Sequence, residues 1–276
     1  MNNKYLKIDD SWIDFKQVKD FLYENFQLLL TANAEQKIIK CRNYLDKKLS
    51  NSDELYYGIN TGFGFFQDVK ISSTQLEELQ SNLLKSHACG VGDEVPKEVV
   101  KLMMMLKIKS LSYGYSGVSL EIVQRLTDMY NYDVLPVIYT QGSLGASGDL
   151  APLSHLSLPL IGLGEVNFEG TRFKAKDVLN KFNWKPIQLQ SKEGLALING
   201  TQFMAAYGLH SLINSERLIT WADIISAISF EAFDGVDDCF NERIHTIRAH
   251  KGQVDTAKKL RQLLTGSEIT SQKKLQ

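Results

Sequence analysis

Cysteine is scarce in this chain. Cys41, Cys89 and Cys239 are scattered over 276 residues. An odd count without paired spacing excludes a disulfide framework and points to reduced thiols in a cytoplasmic setting. No His/Cys/Asp spacing resembles a ligand set, so no metal is expected. An excess of either charge is also missing: 31 Lys and Arg stand against 32 Asp and Glu. That balance removes the broad attraction that a nucleic acid or an anionic membrane would exploit. The first residues lack an apolar signal segment. The apolar stretch at 150–163 is too short to span a bilayer and is broken by Pro152, Ser154, His155, Ser157 and Pro159. Only five prolines occur, so little interrupts helices.

Helical periodicity is what the chain has in abundance. Residues 13–29 place Ile13, Phe15, Val18, Phe21, Leu22 and Phe26 near one stripe. Thr74 and Glu77 read as a capping box for a helix running to about Gly90. Val99, Val100, Met103 and Leu106 mark another helix, with the run 103–105 as core filler. Ser119 caps a further one bearing Ile122, Val123, Leu126 and Met129. From about Gly200 to Phe233 the pattern is one long helix, apolar on several faces and closed by Asp234-Gly235, hence buried all round. In a chain this size that implies burial against other subunits. Strand candidates are few: 134–139 and a hairpin near 164–174. Residues 181–190 read as a loop, and the basic cluster Lys258-Lys259-Leu260-Arg261 as a solvated helix face. The expected fold is all-α, a long-helix bundle with one small β-hairpin.

The densest chemical signal is Gly142-Ser143-Leu144-Gly145-Ala146-Ser147-Gly148-Asp149. Three glycines let the backbone pass close to itself. If the nitrogen of Gly148 attacks the carbonyl carbon of Ala146, a five-membered ring closes. Loss of water from that ring and from Ser147 leaves an exocyclic methylidene, an electrophile that no standard side chain supplies. Such closure works against planar peptide geometry and needs a strained loop on a rigid scaffold. The tripeptide alone is too common to carry this reading, and its company decides the matter. Tyr57-Gly58-Ile59-Asn60-Thr61-Gly62-Phe63-Gly64 precedes it, followed by the 79–92 segment with Ser86-His87-Ala88-Cys89-Gly90. Downstream come Asp149-Leu150-Ala151-Pro152-Leu153 and Lys192-Glu193-Gly194-Leu195-Ala196-Leu197-Ile198-Asn199-Gly200-Thr201-Gln202.

These four strings, in this order and at this spacing, resemble the aromatic amino acid ammonia-lyases over about residues 10–269. The resemblance implies that Ala146, Ser147 and Gly148 are precursors of the MIO ring (4-methylidene-imidazole-5-one), with no external cofactor. It implies that Tyr57 is the catalytic base on a lid hinged by glycines 58, 62 and 64. Asn199 falls on the asparagine that helps hold ring and substrate, and Ser86-His87 on the pair that sorts substrates. Histidine-acting members carry Ser-His there, whereas tyrosine-acting ones resemble His-Leu and phenylalanine-acting ones Phe-Leu. The implied reaction is deamination of L-histidine, a small-molecule substrate, to trans-urocanate and ammonia. A homotetramer of bundled helices is implied too, with sites drawn from more than one subunit. Members of the family are considerably longer, with a Gln-Asp-x-Tyr-Ser-x-Arg segment and a later glutamate in their second half. Neither occurs here, so the chain reads as an N-terminal portion: a single mainly helical piece over 1–276, MIO-bearing to about 200 and opening the central bundle after it.

The chemistry suits these residues. An α-amine is a poor leaving group and its β-hydrogen is weakly acidic, so both an electrophile and a base are needed. Other readings stay open. Ser147 with His155 or His87 and Asp149 supplies triad atoms, but Asp149 stands where a nucleophile elbow needs glycine. A phosphate loop after the 134–139 strand lacks the Gly-x-Gly-x-x-Gly spacing and βαβ alternation. A tyrosine- or phenylalanine-specific lyase, an aminomutase, or an inactive fragment acting as an assembly partner also fits. His155 reads as structural.

Overall fold

The computed structural model describes residues 4–24, 26–51, 54–64, 67–69, 71–145, 147–248 and 250–271, without the side chains of Ser73 and Thr74. The chain divides into two compact units, Met1–His210 and Ser211–Gln276. Helices dominate, as the periodicity requires, and the strands are short.

The first unit opens with β1 (Tyr5–Ile8), α1 (Phe15–Tyr23) and β2 (Gln27–Leu30). The expected helix over 13–29 therefore stops early. Asp14 and Gln17 form a reciprocal capping box at its start, and Glu24 closes it by donating its N–H to Asp20 O. Residues 27–30 switch to a period of two: Leu28 and Leu30 are buried while Leu29 faces out. They pair in parallel with β1, Leu6 opposite Leu28. Asn131 pins the same strand, accepting from Leu28 N at 2.8 Å and donating to Leu28 O at 3.0 Å. The partners come from elsewhere in the chain, which a local stripe cannot register. One βαβ unit thus exists, against expectation, but at 5–30, remote in sequence from the glycine run.

Next come α2 (Ala32–Ser50), α3 (Ser73–His87), β3 (Val91–Glu94), α4 (Lys97–Ser112) and α5 (Leu120–Asn131). The cap of α3 is Ser72, two residues before the expected Thr74, and the helix ends at His87 rather than Gly90. Ser119 caps α5 by backbone only, and its N–H instead donates to Glu193 Oε1 at 2.7 Å. The core centres on α4, where Leu102, Met103, Met104, Met105 and Ile108 have no exposed surface. They pack with Ile122, Val123, Leu126 and Met129 of α5 as interior filler.

The 134–139 stretch is two pieces, β4 (Leu135–Pro136) and β5 (Tyr139–Gln141). β4 joins the expected hairpin of β6 (Glu165–Phe168) and β7 (Thr171–Lys174) as a three-stranded sheet, and β5 pairs with β3. Between them lie α6 (Leu150–Ser157) and a 3-10 turn (Leu158–Ile161). After the hairpin come α7 (Ala175–Lys181), a loop and the six-residue α8 (Glu193–Ile198).

The long helix α9 (Gln202–Ala232) begins in the first unit and continues in the second. The second unit adds α10 (Glu242–Thr246), α11 (Lys251–Leu263) and α12 (Glu268–Ser271). Its small core is Ala227, Leu260 and Leu264 with Phe230 and Phe240 against them. The basic cluster of α11 is not simply solvated. Lys259 pairs with Asp223 at 2.8 Å, Arg261 donates to Phe240 O, and Leu260 is core.

Candidate functional site

The four motif strings converge around α8. The hub is short, but its neighbours hold it from several directions. At its first turn the buried Glu193 carboxylate accepts Ser119 N and Gln190 N, each at 2.7 Å. Gln80 of α3, wholly buried, accepts Leu195 N through Oε1 at 3.2 Å. Lys107 of α4 donates to Ala196 O at 2.7 Å. Lys192, just before the helix, sits at φ 72° and donates to Ser116 O at 2.6 Å. A non-glycine residue there is uncommon, and such strain persists only where surroundings over-determine the backbone.

Asn199 is the residue at which the chain leaves α8. It is extended at φ −88°, ψ 108°, and its N–H donates to Leu195 O at 3.0 Å. Gly200 follows, and its carbonyl oxygen accepts Asp149 N at 2.8 Å. Gly148 lies under that same carbonyl, at φ +89°. A Cβ there would stand 2.4 Å from Gly200 O, so only glycine fits. The loop is thus packed against a second backbone segment at Gly148 Cα and Asp149 N. Asp149 anchors the loop from below. Fully buried, it accepts Ser143 Oγ at 2.8 Å and Met204 N at 3.0 Å. Ser147 is exposed above it, while Ala146 lies outside the described residues.

The Tyr57 loop meets the hub through Gly58, at φ +67°, where a Cβ would stand 2.5 Å from Leu195 Cδ2. Beneath the loop, Asn60 accepts Tyr56 N at 2.6 Å and donates to Glu54 O at 2.8 Å, and Thr61 accepts Gly58 N at 3.1 Å. Tyr57 itself is 56% exposed, edge-on to Phe63 and accepting Gly64 N at 3.4 Å. Of the three expected hinge glycines, 58 and 64 take positive φ. Gly62 instead donates to Val69 O at 3.1 Å.

Ser86 and His87 close α3. Leu83 O lies 2.9 Å from His87 Nδ1. A carbonyl only accepts, so Nδ1 carries the hydrogen and Nε2 of the neutral ring is the acceptor. This pair and the Tyr57 loop share a depression of about 420 Å³, lined by Gly62, Phe63, Val69, Ile71, Leu79, Asn82, Leu83, Ser86 and His87. The structure thus joins the Tyr57 loop to Ser86-His87, and Ser147-Gly148 to Asn199-Gly200.

The hydrolase constellation is not assembled. His155 Nε2 accepts Gly90 N at 3.0 Å, and burial lowers its pKa. That bond ties the 79–92 string to α6 and makes His155 structural. Both carboxylate oxygens of Asp149 serve the loop and α9. Sequence reasoning missed the buried polar residues beneath the site, Gln80, Lys107 and Glu193. Lys107 left one signal, a charge inside the apolar run of α4. Among the described residues, no helix is long and apolar enough to cross a membrane, and no cluster of three or more His, Cys, Asp and Glu could hold a metal.

Comparison with known proteins bears on this arrangement. A family model, aromatic amino acid lyase, matches residues 13–276. Histidine ammonia-lyase of Caldanaerobacter subterraneus subsp. tengcongensis is 42% identical over 266 residues, 96% of this chain and 52% of that protein. The crystal structure of histidine ammonia-lyase from Trypanosoma cruzi matches with a TM-score of 0.84 at 36% identity, over 93% of this chain and 50% of that one. Tyrosine aminomutase from Streptomyces globisporus matches with a TM-score of 0.88 at 32% identity, over 96% and 50%. The chain spans about half the length of the curated relatives it matches.

Proposed function

This chain belongs to the aromatic amino acid lyase family, and from that premise we propose that it forms the MIO-bearing half of a cytoplasmic histidine ammonia-lyase. The observation that carries the reading is the lock between Gly148 and Gly200, which sets Ser147-Gly148 beside Asn199-Gly200. When formed, the ring supplies an electrophilic alkene that makes the substrate's amine a better leaving group.

The chain's own side chains do the rest. Tyr57 Oη takes the β-proton from L-histidine. Its loop turns at Gly58 and Gly64, so that closure brings the phenol in and expels water. His87, with Nδ1 committed to Leu83 O, offers Nε2 to an imidazole N–H, and the adjacent Ser86 hydroxyl supports that contact. Asn199 steadies ring and substrate through its side-chain amide. Tyr57, Ser86, Ser147 and Asn199 all stand exposed while their supports are buried. That supports a pocket completed by further protein surface. The apolar residues exposed on α9 support assembly into a homotetramer.

The test begins with the intact mass of the purified chain. Two waters below the calculated value is the expected result, and Ser147→Ala restores the full mass. An unmodified wild-type chain overturns the ring assignment. For substrate, trans-urocanate formation from L-histidine is followed beside turnover of L-tyrosine and L-phenylalanine, with the C-terminal half of a full-length relative supplied in trans. Faster turnover of L-tyrosine than of L-histidine overturns the assignment made on Ser86-His87.

A further inference from the structure

Lys107 is a charged side chain inside the most apolar part of the molecule. It is 1% exposed, and lysines are almost never fully buried unless paired. The contact the structure gives it is a carbonyl oxygen, Ala196 O at 2.7 Å, rather than a carboxylate. A methionine would fill similar volume without the cost of desolvating an amine. What the lysine adds is a donor at one particular acceptor.

That acceptor occupies a telling position. The last carbonyls of a helix have no partner in the next turn, and α8 ends only two residues later, at Ile198. Leu195 O is taken by Asn199 N. Ala196 O is taken by Lys107, from a different helix. The amine replaces the missing turn, and its charge when protonated suits a helix C-terminus. Immediately beyond, the chain becomes extended at Asn199, and Gly200 O receives Asp149 N above Gly148.

We propose that Lys107 is a positioning residue: its hydrogen bond to Ala196 O fixes the exit of α8 and so holds Asn199-Gly200 in register with the Ser147-Gly148 loop. The functional consequence rests on the reading of Asn199 and the loop given above, whereas the mechanical claim does not. Hydrogen–deuterium exchange on this chain tests it, with Lys107→Met and Lys107→Gln. In Lys107→Met the amides of 193–202 should exchange about tenfold faster while those of α5 are unchanged, as one lost hydrogen bond to a buried acceptor would give. Lys107→Gln, a donor of shorter reach, should fall between wild type and Lys107→Met, and it carries the test alone if Lys107→Met does not fold. The fraction of chains two waters light should drop in the same order. Unchanged exchange at 193–202, or acceleration spread evenly over the chain, overturns the proposal. A wild-type chain of full calculated mass counts against the ring reading instead, and the exchange result still decides the claim about Lys107.

Discussion

Two helices of this chain carry the same kind of sequence and meet opposite fates. Both α4 and α9 are apolar on more than one face. Around α4 the chain supplies partners on all sides, and Leu102 to Met105 have no exposed surface. Along α9 it does not: Leu218 is 69% exposed, Ile219 61% and Ile228 61%. The difference teaches that an all-round apolar pattern states a demand for burial without saying who meets it. For α4 the partners are α5 and its neighbours within the first unit. For α9 the demand is met in part, at Phe203, Ala206, Ile213 and Ala227, and otherwise left open in this chain.

The contrast can be broken by substitution. Leu102→Ala in α4 should cost about 2–5 kcal/mol in denaturant unfolding, the penalty of a cavity in a close-packed core. Next in size is a pH effect on the same helix. Burial lowers the Lys107 pKa from 10.5 to about 7. Between those values the unfolded chain binds more protons than the folded one, so stability rises with pH across that window and the penalty is full below it. Relative to Lys107→Met, wild type should therefore gain on the order of 2 kcal/mol from pH 7 to pH 9; parallel profiles would refute the assignment. Ile225→Glu on α9 should change assembly rather than folding. Sedimentation should show a smaller species, and an unaltered distribution would remove α9 as the association face. Smallest is Ile225→Ala, which should alter unfolding of the dissociated chain by no more than about 0.5 kcal/mol. A cost matching that of Leu102→Ala would erase the distinction between the helices.

The site divides in the same way as the helices. The candidate residues Tyr57, Ser86, His87, Ser147, Gly148 and Asn199 were legible because they lie in contiguous strings whose order is itself a signal. Their supports were not. Gln80 and Lys107 act on α8, and Glu193 acts from it, across separations that sequence hides: Lys107 and Ala196 are 89 residues apart, Gln80 and Leu195 are 115 apart, and Glu193 and Ser119 are 74 apart. Each looks locally like an ordinary polar residue, and only burial reveals its task. The first helix failed for a related reason. Phe26 continued the stripe of α1, but pairing with β1 claimed the residues after it, and backbone hydrogen bonds from a distant strand outweigh a local periodicity.

Sequence by itself determined the helical class, the long helix α9, the family and the candidate residues for the chemistry. These depend on local pattern and on short strings whose meaning does not need coordinates. Tertiary structure decided which strings touch: Gly148 under Gly200, Gly58 against Leu195, His155 on Gly90. It also decided that a lysine holds the helix all of them surround. Contacts between segments far apart in the chain are set by packing and by the need to satisfy every buried donor and acceptor. No local pattern encodes that accounting, because its two sides are written in different parts of the sequence.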